Sequence, residues 1–309
     1  AKADANKVVV VDDIIPVLDV QYAFTDGQYR EYNDIYYTQG ETKVTFTIDE
    51  ANFDVASKPV VTVNEENREV TWNPTSGTDK WVGEITLTGN GDYAIKVTFA
   101  DKSGNVMDTY EKTVHIDNEA PVFDVTYDNN EARNENNYKA DRTATVKITE
   151  HNFKADEVVL TVTAKDINGN SVDIAFKEYA DYAKNPTNWN TTGDVHTLKT
   201  NGMKFDIEAI YSVKLEYTDL AENVAEVYET EFVVDKTDAG NIKIEYSTSV
   251  LDEVIERITF GFYKAPVTVT VTAEDETAGV EYFELTYTKE AGASNVNTDT
   301  YKTEKLTAV

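Results

Sequence analysis

One pattern occurs three times along the chain: a β-rich run, an aspartate, a short polar or proline-containing joint, and a second alternating run that ends in tyrosine. The copies cover residues 8–22, 112–127 and 231–246. A strand that closes one domain, a brief linker and a strand that opens the next would leave this pattern. The joint aspartates Asp12, Asp117 and Asp235 recur at intervals of about 100 residues, the size of a β-sandwich domain and not of a solenoid repeat.

Two further pairs of segments support a repeated β fold. Residues 42–53 and 143–153 alternate apolar and polar side chains and then end in Glu-x-Asn-Phe. Residues 93–105 and 211–223 also alternate, and they run into an Asp-x-x-x-Asn turn. Alternation over such lengths predicts half-buried strands. The 19 tyrosines and 12 phenylalanines agree with a strand-rich chain.

We therefore predict an all-β chain of tandem immunoglobulin-like (Ig-like) β-sandwiches that form an elongated rod. The predicted units are a lead-in strand or the end of a preceding module over 1–14, Ig-like domain 1 over 15–118, Ig-like domain 2 over 119–236, and a third, short or truncated Ig-like domain over 237–309. A short helical insertion is expected near 176–185, where the following proline stops it. In the third unit, strands are expected near 242–248, 254–262, 266–273 and 280–288.

Charge and cysteine content narrow the class of protein. The formal net charge is −29, and such a surface repels phosphate backbones and anionic lipid. We therefore expect no nucleic-acid binding and no membrane insertion. Solubility is the simplest explanation of the charge, and a surface for cations or for a basic partner is the alternative. Cysteine is absent, whereas secreted eukaryotic arrays commonly carry disulfides, so a bacterial extracellular protein, secreted or on the cell surface, is favoured.

No pattern of residues predicts catalysis, so we expect a protein that is not an enzyme and has no catalytic residue. The chain has no cysteine nucleophile and no Gly-x-Ser-x-Gly elbow. Its three histidines, His115, His151 and His196, lack the spacing of a zinc site. Structural roles in strands and turns are therefore favoured for them.

Four segments of the chain resemble a known class of domain; they are 117–121, 141–153, 189–197 and 217–223. Their motifs, such as Asp-Asn-Glu-Ala-Pro and Tyr-Thr-Asp-Leu-Ala-Glu-Asn, are similar to those of bacterial Ig-like repeat domains in large cell-surface proteins of Gram-positive gut bacteria of the Firmicutes type. The resemblance covers the first two units. The third unit departs from it, and residues 273–280 look like a related Ig-like type.

The resemblance implies a fold and a location, and it leaves two functions open. It implies a secreted or wall-attached module that binds a host extracellular protein or glycoprotein in the manner of an adhesin. Some surface proteins with such repeats bind antibody variable domains as superantigens, which makes immunoglobulin one candidate partner. The alternative is a structural stalk or spacer that presents a distal functional domain. A partner that pairs with a strand edge needs only main-chain hydrogen bonds, which no sequence motif reveals.

Two clusters of aromatic and arginine side chains are candidates for partner contact. Such side chains are favoured at binding hot spots because they offer a large, rigid contact area with a polar tip. The candidates are Tyr29, Arg30, Tyr32, Tyr36 and Tyr37 in the first unit, and Tyr179, Tyr182 and Trp189 around the insertion of the second. The alternative is that they pack inside the sandwiches or along an edge. Two other tyrosines, Tyr93 and Tyr211, are expected to form the tyrosine corner that ties down a loop in Ig folds.

Calcium is the one cofactor that the sequence makes a candidate. Hard cations prefer clustered carboxylate and carbonyl oxygens. If Asp101, Asp117 and Glu119 converged at a joint, a cation would stiffen that joint. The alternative is that Asp-x-x-x-Asn is an Asx-type turn, in which the aspartate side chain accepts hydrogen bonds from nearby backbone N–H groups.

Overall fold

The computed structural model describes residues 11–25, 27–133, 135–174, 179–199, 203–247, 268–280, 282–290 and 296–302. The chain is all-β, as predicted, and its described helical parts are one α-helix, α1 (Tyr179–Lys184), and two 3-10 turns at Ala155–Glu157 and Pro186–Asn188. The expected lead-in over 1–14 lies mostly outside the described residues, and 11–14 form no strand. The strand expected near 254–262 also lies outside them.

The first sandwich contains ten strands in two sheets. They are β1 (Val17–Phe24), β2 (Arg30–Tyr32), β3 (Ile35–Thr38), β4 (Thr42–Asp49), β5 (Val60–Val63), β6 (Glu66–Arg68), β7 (Asn73–Pro74), β8 (Lys80–Leu87), β9 (Gly91–Thr98) and β10 (Tyr110–Ile116). One sheet has the order β1-β4-β8-β7 and the other β2-β3-β10-β9-β5-β6. β3 and β10 pair in parallel, and the other pairs are antiparallel.

Alternation along the strands builds the core of this sandwich. Val44, Phe46 and Ile48 are the inward residues of β4 and have no exposed surface. They pack against inward residues of the second sheet such as Val97 and Val114. Because successive side chains of a strand point to opposite faces, the period-two pattern read in the sequence over 42–49 gives this buried row.

The second sandwich repeats the arrangement. Its strands are β11 (Val122–Tyr127), β12 (Asn137–Tyr138), β13 (Arg142–Thr149), β14 (Val159–Lys165), β15 (Trp189–Thr192), β16 (Val195–Leu198), β17 (Met203–Phe205), β18 (Ala209–Glu216) and β19 (Tyr228–Val234). One sheet has the order β11-β13-β16-β15, with β17 also paired to β13, and the other β12-β19-β18-β14. β13, β18 and β19 take the places of β4, β9 and β10, and β12 pairs in parallel with β19 as β3 does with β10.

The described part of the third unit forms two antiparallel pairs. They are β20 (Gly240–Ser247) with β21 (Thr268–Glu274), and β22 (Glu284–Glu290) with β23 (Val296–Lys302). β20, β21 and β22 overlap the strands expected near 242–248, 266–273 and 280–288. The side chains of Ile242, Ile244 and Tyr246 on β20 are 65%, 47% and 63% exposed, in contrast to the inward rows of the two sandwiches.

Both sandwiches have the expected tyrosine corner. The hydroxyl of Tyr93 donates to the carbonyl oxygens of Thr88 at 2.6 Å and Gly89 at 2.9 Å. The hydroxyl of Tyr211 donates to the carbonyl oxygen of Ile207 at 2.7 Å. In each case the bond ties the start of a central strand to the loop before it, so the prediction is confirmed at both positions.

Candidate functional site

Three carboxylates meet where the first sandwich passes into the second. Asp117 directly follows β10, Glu150 directly follows β13, and Asp219 lies three residues after β18. One carboxylate oxygen from each lies within 4.8 Å of the others. The three residues are 7%, 4% and 0% exposed. We call this group the joint triad.

Two asparagines hold the joint triad in place. Asn223 closes the Asp-x-x-x-Asn turn: its backbone N–H donates to Asp219 Oδ1 and its Nδ2 to Asp219 Oδ2, both at 2.8 Å. The same Nδ2 donates to the carbonyl oxygen of Asp117 at 3.0 Å. The backbone N–H of Asn152 donates to Glu150 Oε1 at 2.8 Å. The turn is therefore of the Asx type expected as one alternative, and it also positions carboxylates from three parts of the chain.

The first sandwich carries the same group at its own entry, and we call it the entry triad. Its members are Asp12, Glu50 and Asp101, again with carboxylate oxygens within 4.8 Å of one another. Asn105 repeats the contacts of Asn223: its N–H and Nδ2 bond the two carboxylate oxygens of Asp101 at 2.8 Å, and Nδ2 donates to the carbonyl oxygen of Asp12 at 3.2 Å. Asn52 donates its N–H to Glu50 Oε1 at 2.6 Å. The site is thus a property of the repeat.

Burial disfavours the ionised form of three of these carboxyl groups, whereas at Asp101 the hydrogen bonds from Asn105 and the turn outweigh burial and lower the pKa. Burial above all, with a smaller contribution from the charges of Asp219 and Asp117, raises the pKa of Glu150 to about 7, although the N–H of Asn152 opposes the rise. Burial is also the main cause that raises the pKa of Asp219 and of Glu50. Within the described residues, no lysine, arginine or histidine forms an ion pair with either triad. A positive charge would suit both places.

The metal-ligand set expected from the sequence does not come together. Asp101 belongs to the entry triad and Asp117 to the joint triad. The reason is strand direction: β9 and β10 are antiparallel, with Gly91 opposite Ile116. The two aspartates therefore lie at opposite ends of this pair, about 20 Å apart. Glu119 is exposed, and its Oε1 accepts a hydrogen bond from Asn90.

Four members of the triads were not among the expected ligands. Glu50 and Glu150 open the repeated Glu-x-Asn-Phe motifs, Asp12 is a joint aspartate, and Asp219 opens an Asp-x-x-x-Asn turn. Taken alone, each motif indicates only a turn, a strand end or a joint. The sequence signal for these ligands is that the three motifs recur together: the same three acidic positions, one from each motif, appear in both sandwiches. What the sequence could not supply was the pairing order of the strands, which brings the three strand ends together.

The aromatic and arginine cluster of the first sandwich, residues 29–37, which we call the Tyr–Arg segment, faces the second sandwich. Tyr37 is 7% exposed and packs in a small apolar cluster with Leu220 and Ala221, against which Tyr32 and Ile35 also pack. These contacts bury part of the segment between the two sandwiches. For Tyr37 the expectation of contact with an outside partner is therefore corrected, because its surface is already covered.

Charged contacts accompany the apolar cluster. Arg30 of the first sandwich forms an ion pair with Glu157 of the second, and a longer one of 3.8 Å with Glu222. The ammonium group of Lys154 lies 4.3 Å from the centre of the Tyr32 ring, a distance at which a cation is attracted to the ring face. The segment thus contacts the second sandwich through apolar, ionic and cation–π interactions.

The remaining aromatic candidates are mostly packed within their own sandwich. Tyr36 packs against the first core, while Tyr29 is 53% exposed and its ring stacks on Phe24 at 4.4 Å. Trp189 is 5% exposed and its Nε1 donates to the carbonyl oxygen of Ala183 in α1 at 2.7 Å. The structure thus buries Trp189 against the insertion that was expected to display it.

The insertion itself is packed down. α1 begins at Tyr179, whose side chain is half-buried against the second core together with that of Tyr182. The hydroxyl of Tyr182 donates to the carbonyl oxygen of Lys199. The predicted helix near 176–185 is therefore present over Tyr179–Lys184, and residues 175–178 lie outside the described residues.

Two cavities lie along the boundary between the sandwiches. One, of about 340 Å³, is lined among others by Asp117 and Glu150 of the joint triad. The other, of about 420 Å³, is lined by aromatic and polar residues from both sides; they include Tyr32, Tyr37, Phe153, Lys154, Trp189 and His196. His151 borders both, and its ring nitrogens contact Asp194 of the second sandwich at 2.9 Å and Asp92 of the first at 3.3 Å.

Comparison with known proteins gives remote likenesses to solved structures. No family model matches the sequence, and no curated protein matches it. Among solved structures, the full ectodomain (Ig1-Ig3) of mouse nectin-like molecule 4 has a TM-score of 0.33 at 10% identity, over 71% of this chain and 63% of that one. Fibronectin(III)-like modules of Clostridium thermocellum CbhA have a TM-score of 0.27 at 12% identity, over 70% of this chain and 94% of theirs. Likeness at this level assigns no function, and the Ig-like architecture rests on the sheets themselves.

In the described part of the chain, no helix has the length and apolar composition needed to cross a bilayer.

Proposed function

We propose that the chain is a non-enzymatic spacer of a bacterial extracellular protein, secreted or on the cell surface, in which Ig-like sandwiches keep a fixed relation and present a distal functional domain. The observation that carries this proposal is the contact of the Tyr–Arg segment with the second sandwich. Arg30, Tyr32 and Tyr37, whose chemistry suits an outside partner, contact the following sandwich instead. A protein that holds its own modules together with such residues is suited to a mechanical role.

The joint residue supports the same conclusion. The backbone N–H of Asp117 donates to the carbonyl oxygen of Thr38 in the first sandwich at 2.9 Å. Its carbonyl oxygen accepts from Asn223 in the second sandwich at 3.0 Å. Pro121, just before β11, fixes one further backbone angle. Because the joint is bonded on both sides, a change in the angle between the sandwiches breaks hydrogen bonds as well as the apolar contact.

The proposal is tested by the distribution of distances between the two sandwiches. The chain has no cysteine, so Thr86→Cys in β8 and Thr163→Cys in β14, both exposed, place one spin label on each sandwich. We expect a single narrow distance distribution by pulsed electron paramagnetic resonance. The double substitution Tyr37→Ala with Leu220→Ala removes the apolar cluster, and we expect it to broaden the distribution.

The matched control is Tyr29→Ala, which removes a tyrosine of the same segment that stacks within the first sandwich and is expected to leave the distribution narrow. A broad distribution in the parent chain would contradict the spacer function, because it would mean that the joint is a hinge.

A binding function is the second candidate, and one observation favours it. The cavity of about 420 Å³ between the sandwiches is lined by Tyr32 and Lys154, among others, and aromatic and cationic groups of this kind anchor protein ligands. The partner would be a host extracellular protein or glycoprotein, with antibody variable domains as one candidate. Biosensor titration with purified immunoglobulin and with mucin tests it: saturable binding that Tyr32→Ala weakens at least tenfold, with an unchanged melting temperature, supports a binder, and no binding at micromolar concentration leaves the spacer.

A further inference from the structure

The entry triad contains a buried carboxylate oxygen without a partner. Glu50 is 4% exposed, and its Oε1 accepts the backbone N–H of Asn52. Its Oε2 is fully buried and has no hydrogen-bond partner within the described part of the chain. A buried acceptor that is left unpaired costs about 1–3 kcal/mol, and more when it carries charge. A bound cation that met this oxygen would remove that cost.

The joint triad reproduces the three carboxylates of the entry triad and the hydrogen bonds that position them. The joint triad has the same three acidic types at the equivalent positions of the repeat, the same asparagine across the aspartate turn, and the same backbone bond to its glutamate. All three of its members are at least nine-tenths buried. Buried charges in proteins are paired or bind metal ions, and no cationic side chain among the described residues pairs with this triad.

A third Asp-x-x-x-Asn turn separates the contribution of the turn from that of the triad. Asp166 and Asn170, after β14, make the same two bonds at 2.8 Å as the other turns. No pair of further acidic residues joins Asp166 within the described residues. The turn therefore forms without a cation. Asp101 and Asp219 differ from Asp166 because a joint aspartate and a glutamate lie beside each of them.

We propose that the entry triad and the joint triad each bind one divalent cation, and that this cation is Ca²⁺. The donor set consists of carboxylate oxygens, which hard cations prefer. Mg²⁺ usually keeps several of its waters, whereas Ca²⁺ exchanges them readily for protein oxygens in variable geometry. Ligands that are this deeply buried favour the ion that gives up its water. In the joint triad, the cavity that Asp117 and Glu150 line offers the ion a path from solvent.

Each ion would fasten three separate parts of the chain. The ligands come from the residue that enters the sandwich, from the end of β4 or β13, and from the turn after β9 or β18. In the joint triad the entering residue, Asp117, is also the one bonded to the first sandwich. The cation would thus fix the chain where two modules meet. These sites do not depend on the spacer function, since a binder built from the same repeats would hold the same ions.

Calorimetric titration of the whole chain with CaCl₂ tests the proposal, after removal of divalent ions with a chelator. We expect about two ions per chain, one for each triad, and a melting temperature that rises by roughly 5–10 °C at saturation. MgCl₂ is titrated in parallel and is expected to bind at least tenfold more weakly. No heat with CaCl₂ and superimposable melting curves with and without chelator would overturn the proposal.

Isosteric variants assign each ion to its triad. Glu50→Gln is expected to remove the ion of the entry triad and Glu150→Gln that of the joint triad, so that each lowers the stoichiometry from two to one. In chelator, each variant should melt at the same temperature as the parent chain or higher, because a buried charge has been removed. A variant that melts lower in chelator and still binds two ions would show that the glutamate is only a structural acceptor.

Asp166→Asn is the matched control for the aspartate turns. It changes a turn of the same motif in the second sandwich, and this turn belongs to neither triad. We therefore expect the variant to leave both ions bound. If Asp166→Asn also removed an ion, the turn and not the triad would be the ligand, and the assignment above would be wrong.

Discussion

Gly83 shows how tightly a single position of the first sandwich is fitted. It lies in β8, where a Cβ would come within 2.5 Å of Val70 Cγ1 and 3.1 Å of two ring atoms of Trp72. Both neighbours are buried, at 5% and 7% exposure. A Cβ contact below 3 Å requires that the neighbour move, and these side chains sit in a packed core. The glycine is therefore required by packing and not by a turn.

We expect Gly83→Ala to lower the free energy of unfolding of the first sandwich by about 1–3 kcal/mol, the usual cost of overpacking a core. Urea denaturation followed by tryptophan fluorescence measures it. The control is Gly240→Ala in β20, where nothing lies within 4 Å of the added carbon, and we expect a change below about 0.5 kcal/mol there. Equal effects at both positions would mean that the close approach to Val70 is not what matters.

At this scale the sequence revealed residue types better than it revealed neighbours. The acidic residues of the triads lie in repeated motifs. The ligand set expected from the sequence nevertheless joined Asp101 to Asp117, on the assumption that the turn of Asp101 lies beside the joint. Their separation follows from the antiparallel course of β9 and β10. Likewise, tyrosine and arginine suit an internal contact between modules as well as an external partner, so composition alone could not decide the place of Tyr37.

At the scale of elements, the strands and corners were predictable because they depend on local patterns. The alternation of 42–49 gave β4, and a tyrosine at the start of a central strand gave each corner. The helical insertion was also found, but its packing was not: Trp189 lies under α1 because its indole N–H meets the carbonyl of Ala183. That contact depends on how the insertion folds back over β14, which no local pattern contains.

The corner of the second sandwich gives a prediction for this scale. Tyr211→Phe removes the hydroxyl that holds the carbonyl of Ile207 and leaves the buried ring. We expect the free energy of unfolding to fall by about 1 kcal/mol, the net value of one hydrogen bond, as measured by chemical denaturation. Tyr246→Phe, at a tyrosine that is 63% exposed, is the control and should change nothing measurable; an equal loss there would argue against the corner.

For the whole molecule, the contact between the sandwiches depends on pH. Glu157 of the second sandwich accepts a hydrogen bond from Arg30 of the first. This bond is the main cause that holds the pKa of Glu157 below its ordinary value of 4.5. A carboxyl group whose pKa is lowered by folding contributes stability above its unfolded pKa and loses it as the pH falls through the folded value. The Arg30–Glu157 pair therefore supports the joint at neutral pH and is released in acid.

We expect Glu157→Gln to lower the melting temperature slightly at pH 7, since partly exposed ion pairs contribute about 1 kcal/mol or less. The difference from the parent chain should shrink as the pH falls below about 4. Melting curves from pH 3 to 8 measure both effects. Glu84→Gln, which removes an exposed pair with Lys43 inside the first sandwich, serves as the control for loss of charge alone. A difference that stays constant with pH would contradict the role of the ion pair.

The parallel strand pairs have a consequence for a protein under tension. β3 near the start of the first sandwich runs parallel to β10 at its end, and β12 and β19 repeat this in the second. A force that pulls the two ends of a sandwich apart acts along these strands in opposite senses. Their hydrogen bonds then share the load and must rupture together, unlike those of a hairpin, which open one after another. A chain of such units would resist stretching, as a tether exposed to flowing liquid must.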